Sequence, residues 1–235
     1  MQPASAVVGL IVVAAGSGSR LGADVPKAFV PLAGVPLLGH ALRGALACPD
    51  VAEVVVVSPT GWLGEADAVC RWARSRSCEP SSGAPVRVVP GGAERGDSVA
   101  AGLAALSDRV GVVLVHDAAR CLTPASVFGR VVAAIRGGAA AVVPGVPVVD
   151  TIKQVDSAGR VVATPERSSL RAVQTPQGFR RDVLERAHAE SSEATDDAGL
   201  VERLGESVLV VEGDPRALKV TTPADLEAAA RILAG

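Results

Sequence analysis

The stretch that most constrains what this chain can fold into is Gly9–Lys27, GLIVVAAGSGSRLGADVPK. A short apolar run (Leu10, Ile11, Val12, Val13, Ala14, Ala15) is bounded by turn residues, as a parallel strand buried on both faces requires. It empties into a glycine-rich loop, Gly16-Ser17-Gly18-Ser19, followed by two cations, Arg20 and Lys27. Small residues let a backbone approach a ligand closely, and consecutive free N–H groups form an anion-binding concavity. Arg20 and Lys27 would meet phosphate charge that backbone dipoles only partly neutralise, so the stretch reads as a cradle for a nucleoside triphosphate. It is not the dinucleotide fingerprint, because Gly16, Gly18 and Gly22 are spaced one residue too wide and no acidic residue stands about twenty positions on. Nor is it a P-loop, since the chain contains no Gly-Lys pair. Taken alone, the loop fits an ordinary strand-to-helix turn equally well.

The rest of the chain repeats the same rhythm. Helical spacing places Leu38, Leu42, Ala45 and Leu46 on one face of a segment opened by Pro36 and closed by Cys48-Pro49. Glu53 to Ser58 is a second buried strand, Trp62 to Arg74 is helical, and Cys78 to Pro85 is a polar loop. Val86 to Val89 is a third strand, and Asp97 to Leu106 is an amphipathic helix with Val99, Leu103 and Leu106 inward. Val112 to Val115 runs into His116-Asp117, Thr123-Pro124 caps a helix burying Val127, Val131 and Ile135, and Ala139 to Val143 is a fifth strand. This alternation predicts an α/β fold, a Rossmann-like, mostly parallel sheet with helices on both faces. Ligands in such sheets sit beyond the carboxyl ends of the strands.

Between Pro144 and Thr175 the rhythm breaks. Thr151–Val155 and Arg160–Thr164 flank Asp156-Ser157-Ala158-Gly159, which spells a hairpin. A lone two-stranded ribbon is barely stable in water, so this arm, about residues 147–172, needs something to pack on, and a second subunit is the favoured candidate over the chain's own body. The tail returns to helix at Phe179–Ala189, a helix Asp196–Leu204 capped by Thr195, a strand Val208–Val211, and a capping box at Thr222-Pro223-Ala224-Asp225. That box opens a final helix with Leu226, Ala230 and Leu233 inward. At 235 residues the whole length, 1–235, suits one domain.

Composition excludes several classes. Hydrophobic residues are 49% and charged residues 20%, so the chain can bury a large core. Aromatics are only 2% with no tyrosine, and net charge is −2, which argues against a nucleic-acid surface. Cys48, Cys70, Cys78 and Cys121 lack C-x-x-C spacing and nearby histidines, as expected of reduced thiols. No apolar run is long enough for a membrane span and none resembles a secretory signal, so the expected location is cytoplasmic.

Four further stretches carry candidate chemistry. Gly91–Ser98 lies at a strand end and opens a helix, where small residues and free N–H groups can approach a base or ribose. His116-Asp117-Ala118-Ala119-Arg120 puts a carboxylate at a strand terminus, placed to share Mg²⁺ with phosphate oxygens, while His116 is read as structural. Glu166–Arg171 with Gln174–Gln177, and Lys219–Pro223, add Arg167 and Lys219 to the same sheet edge. Each stretch alone is explained by a turn, a cap or a solvated charge. Together Arg20, Lys27, Arg167 and Lys219 suggest phosphoanion chemistry.

In order along the chain, AAGSGSRLG…PK, GGAERGDSV, HDAAR, DTIK, QTPQ, TDDA and LKVTTPADL resemble the 2-C-methyl-D-erythritol 4-phosphate cytidylyltransferase family, nucleotidyltransferases of isoprenoid-precursor synthesis. The resemblance covers residues 8 to 233. It implies that Arg20 and Lys27 hold the triphosphate, and that Ala14, Ala15, Gly16, Gly18, Gly92, Ser98 and Ala118 surround the nucleotide. It implies Asp117 toward the nucleotide and Mg²⁺, and Arg167 and Lys219 positioning the acceptor with Arg120, Thr151, Thr175 and Thr195. It also implies a homodimer in which the arm carries Thr151, Arg167 and Thr175 to the neighbour's site. Two positions depart from the family pattern: Ala28 follows Lys27 where Gln is usual, and Cys121 follows HDAAR where Pro is usual. Neither removes a charged group. Alternatives left open are another polyol phosphate acceptor, such as ribitol 5-phosphate, or a non-catalytic nucleotide-binding scaffold.

Overall fold

The first strand, β1 (Val7–Val13), has two parallel neighbours, β4 (Val51–Ser58) and β6 (Val110–Asp117), and lies at the centre of an eight-stranded sheet. The structure is a computed structural model and describes residues 6–16, 18, 21–76, 83–190 and 195–235. Short strands β2 (Pro31–Leu32) and β3 (Val35–Pro36) pair with each other and lead into α1 (Leu37–Leu46). Helix α2 (Leu63–Ser75) follows β4, and β5 (Val86–Pro90) pairs parallel with β4 at the sheet edge. Helix α3 (Arg95–Ala105) precedes β6, and α4 (Ala125–Arg136) follows it. Strand β7 (Ala141–Pro147) takes β12 (Val208–Glu212) as a parallel neighbour and β10 (Arg171–Val173) and β11 (Gln177–Arg180) as antiparallel ones. Helices α5 (Arg181–Glu190), α6 (Asp197–Arg203) and α7 (Pro223–Ala234) complete the fold.

Side chains alternate across a strand, and here both faces are covered. Leu10 and Val12 of β1 join Val54 and Val56 under α1, α2 and α4, where Leu38, Leu42, Phe128 and Val131 close the layer. Ile11 joins Val55, Val57 and Val113 on the other face, under Val99 of α3, Leu184 of α5 and Leu200 of α6. With almost no aromatic residues, the core is built from branched aliphatic side chains, each contributing roughly 1.5–3 kcal/mol when fully buried. The mostly parallel α/β architecture expected from the alternation is the one observed. Among the described residues no helix is long and apolar enough to cross a membrane.

Several local expectations are corrected. Phe179 lies in β11, not in a helix, because its ring is needed in the core between Val113 and Ala141. Helix α6 is capped by Asp196, whose carboxylate accepts from Gly199 N–H at 2.9 Å, rather than by Thr195. Helix α4 has Pro124 as its N-cap, and the Thr123 hydroxyl instead donates to the Arg120 carbonyl. Helix α3 starts two residues early through a capping box between Glu94 and Asp97. On α7 the capping box forms as expected, but Ala229 is the buried residue, Leu226 is half-buried, and Ala230 and Leu233 face solvent.

The 151–164 stretch does form a hairpin, shorter than expected: β8 (Gln154–Val155) pairs with β9 (Val161–Ala163). Asp156 accepts from the N–H groups of Ala158 and Arg160, and Gly159 takes φ +78° to close the turn. Its Val155, Val161 and Val162 remain more than half exposed.

Candidate active site

Parallel register brings three strand ends to one level. Val13 stands opposite both Val57 of β4 and Asp117 of β6, and Ser58 stands opposite Pro90 of β5. Beyond these ends opens a cleft of about 390 Å³. One wall is small and backbone-rich: Ala14, Ala15 and Gly16 after β1, with Gly92 and Ser98 from the β5–α3 turn. The other wall is charged, with Lys27, Arg95, Asp117 and Lys219.

Each wall has a local cause. Gly18 has φ +69°, and a Cβ there would collide with the Lys27 Cβ, so the loop can fold onto Lys27 only with glycine at this position. The Ser98 hydroxyl accepts from the Gly92 N–H at 3.3 Å and donates to the Glu94 carbonyl at 3.2 Å, fixing the second glycine turn. The Val220 N–H donates to the Ala119 carbonyl at 2.9 Å, which brings Lys219 against the β6 end. There Lys219 Nζ lies 2.7 Å from Asp117 Oδ2, while Arg95 Nη2 lies 3.6 Å from Oδ1.

Burial would raise the Asp117 carboxyl, but Lys219 and Arg95 outweigh it and hold it down at about 2. Burial dominates for His116, which is fully buried and pushed down to about 4, so its imidazole is neutral. Its Nδ1 is 2.9 Å from the Thr175 hydroxyl, and its ring stacks obliquely on Phe128 with centroids 5.0 Å apart. His116 is therefore a structural residue beneath the cleft. Burial also raises Cys121 and Cys70 to about 12, leaving both as inert thiols.

Of the residues singled out from sequence, Ala14, Ala15, Gly16, Lys27, Gly92, Ser98, Asp117, Ala118 and Lys219 line this one cleft. Gly18 supports it from behind Lys27. Arg20 lies outside the described residues. Two of the residues expected to bind the acceptor have partners within the chain. Arg120 is folded back to donate to the carbonyls of Ala217 at 2.7 Å and Val173 at 3.0 Å. Thr175 is buried, and its hydroxyl accepts the Asp117 N–H at 3.1 Å, beneath the cleft of its own chain. Thr195 is exposed ahead of α6. Thr151 is exposed on the arm, and Arg167 is held at the arm base by its bond to the Val149 carbonyl at 2.6 Å, both outside the cleft.

Sequence reasoning missed Arg95. A cation inside the already selected Gly91–Ser98 turn was the available signal, and its partner Asp197 is 102 positions away. Among the described residues no three His, Cys, Asp or Glu side chains gather as a metal cage. Asp117 instead offers a single buried carboxylate lining the cleft, the kind of donor that Mg²⁺ shared with substrate phosphates takes.

Comparison with known proteins gives the family. Residues 8–235 match the family described as 2-C-methyl-D-erythritol 4-phosphate cytidylyltransferase. A protein of that name from Nocardia farcinica is 54% identical over 223 residues, covering 95% of this chain and 92% of its own. One from Saccharopolyspora erythraea is 53% identical over 229 residues, covering 95% and 98%. Among solved structures, 4-diphosphocytidyl-2C-methyl-D-erythritol synthase from Anaerococcus prevotii superposes with TM-score 0.85 at 26% identity, covering 98% of this chain and 97% of that one. The chain belongs to the 2-C-methyl-D-erythritol 4-phosphate cytidylyltransferase family.

Proposed function

We propose that this chain converts CTP and 2-C-methyl-D-erythritol 4-phosphate to 4-diphosphocytidyl-2-C-methyl-D-erythritol and pyrophosphate, as a cytoplasmic enzyme of isoprenoid-precursor synthesis. The observation that carries the reading is the cleft itself. Small residues suited to a nucleoside line it together with Lys27 and Lys219, beyond the strand ends of a parallel sheet. An oxygen of the acceptor phosphate attacks the α-phosphorus of CTP in line. The new P–O bond forms as the bond from the α-phosphorus to the bridging oxygen breaks, and its electron pair leaves on pyrophosphate. A phosphate monoester has its second pKa near ~6 and is largely dianionic at neutral pH, so no general base is needed. This suits a cleft whose nearest histidine is sealed and neutral.

The chain's own contribution is charge and position. Lys27, with Arg20, neutralises charge growing on the α-phosphoryl and the leaving group. Lys219 lines the cleft, held on Asp117 at 2.7 Å, and positions the incoming phosphate. Mg²⁺ held by Asp117 would supply further neutralisation of the triphosphate when bound. Arg167 and Thr151, exposed on the arm, are read as contributions to the site of a second copy of this chain, giving a homodimer with composite sites. The exposed Val149, Val155, Val161 and Val162 support that reading, since an arm this apolar is poorly stable alone.

Pyrophosphate release from CTP, measured with 2-C-methyl-D-erythritol 4-phosphate, with ribitol 5-phosphate and with no acceptor, tests the reaction. Release with the first acceptor alone is the expected result. Equal or faster release with the second would reassign the acceptor, and none with either would leave a nucleotide-binding scaffold.

A further inference from the structure

We propose that Asp197 is a positioning residue of the nucleotide cleft: it draws the Arg95 guanidinium off Asp117 and fixes it on the cleft wall. This rests on reading the cleft as the nucleotide site. Arg95 stands at the first position of α3, between two carboxylates. Its Nη1 donates to Asp197 Oδ2 at 2.7 Å, whereas its Nη2 remains 3.6 Å from Asp117 Oδ1. Both carboxylates are ionised, so the unequal distances show which one holds the arginine.

Asp197 is fixed from behind and cannot follow Arg95 outward. Its side chain is 1% exposed, and its other oxygen lies 3.0 Å from His188 Nε2 of α5. The start of α6 is pinned to β11 as well. Gln177 Nε2 donates to Asp196 Oδ2 at 2.7 Å, and Gln177 Oε1 accepts the Ala198 N–H at 3.2 Å. A buried carboxylate held this firmly makes the longer, half-exposed arginine come to it.

The consequence lies at Asp117. Lys219 already occupies its Oδ2 at 2.7 Å. Without the charge of Asp197, the nearest anion for Arg95 is Oδ1 of Asp117. Both oxygens would then be capped, and the guanidinium would be drawn from its present place in the cleft lining onto Asp117. Nucleotide binding should suffer through Arg95, while the reacting groups Lys27 and Lys219 keep their places.

The test is a double-mutant cycle on the purified full chain, reading KM for CTP, kcat and the thermal midpoint for the parent, Asp197→Asn, Arg95→Gln and the double variant. Asp197→Asn keeps the shape and removes the charge. It should raise the CTP KM about tenfold, the scale of coupling inside one ion-pair network, with kcat changed less than about threefold. In the Arg95→Gln background the same substitution should change KM less than about twofold. An equal KM rise in both backgrounds, or no rise at all, would overturn the proposal. If Asp197→Asn is insoluble, Asp197→Glu, which keeps the charge but displaces it, replaces it in the cycle. A KM rise confined to the chain that retains Arg95 would again support the proposal, and an equal rise or none would again overturn it. A parent without saturable dependence on CTP would instead overturn the nucleotide reading beneath it.

Discussion

At the scale of single residues, the neighbours His116 and Asp117 both lose stability as pH falls, but over different windows. The Asp117 carboxyl is held at about 2, so its stabilisation is complete above about pH 4 and is lost only as pH falls toward 2. His116 is held at about 4 against 6.5 when unfolded. Between those values the unfolded chain binds the extra proton, so stability must fall as pH drops from 6.5 to 4, by about 3 kcal/mol in all. We expect His116→Gln to flatten the slope of urea midpoint against pH in that window. A variant as steep as the parent would place the acid sensitivity elsewhere. Under the proposed reaction, Lys27 acts on the phosphates. Lys27→Ala should lower kcat by roughly 10²–10³, the scale of one preorganised stabilising group. Steady-state kinetics check it, and a raised KM for CTP with unchanged kcat would reduce Lys27 to a ground-state contact.

At the scale of elements, α7 separates capping from catalysis. Its N-cap, Thr222, accepts from Asp225 N–H, while the Asp225 carboxylate takes the N–H groups of Thr221 at 2.9 Å and Thr222 at 2.7 Å. Thr222→Ala should cost about 1 kcal/mol, read from chemical denaturation. Lys219, three residues earlier, is tied to β6 by the separate bond from Val220 to Ala119. The turnover of folded Thr222→Ala should therefore stay within about twofold of the parent. A larger loss would mean that α7, not the β6 loop, sets the lysine. The same scale explains why β10 and β11 are not legible in the sequence. Arg171–Val173 and Gln177–Arg180 are short, and the apolar spacing after Phe179 also fits a helix; only the vacancy between β6 and β7 makes Phe179 a strand residue.

At the scale of the whole molecule, the arm is the element that its own chain leaves most exposed. Val155, Val161 and Val162 face solvent, and Arg167 lies at the arm base, outside the cleft. If two copies exchange arms, mixing inactive Arg167→Ala chains with inactive Lys27→Ala chains should restore activity. In each mixed dimer one site carries both defects and the other carries neither. With free exchange and equal amounts, about half the dimers are mixed and roughly a quarter of all sites are intact, by the two-fold symmetry of such dimers. Exchange confirmed by mass spectrometry, with activity no higher than that of the separate variants, would mean that each site is built from one chain.

What the sequence determined by itself is what local spacing encodes. The period of the apolar runs specified β1, β4, β5 and β6 and the inward faces of α1, α3 and α4, since each side chain's direction follows from its position in the element. Glycine and lysine placement after β1 likewise marked residues that line the cleft, Gly16 and Lys27. Only tertiary structure decided which polar groups share a partner. Arg120 has the residue type of a substrate cation, yet its guanidinium is spent on the carbonyls of Val173 and Ala217, 53 and 97 positions away. Thr175 has the hydroxyl of a ligand contact, yet Asp117 and His116 take it. Arg95 has the place of a turn residue, yet Asp197 lies 2.7 Å from it. A hydrogen bond or ion pair forms wherever the fold happens to bring donor and acceptor together, and over such separations the spacing of residues along the chain carries no trace of it.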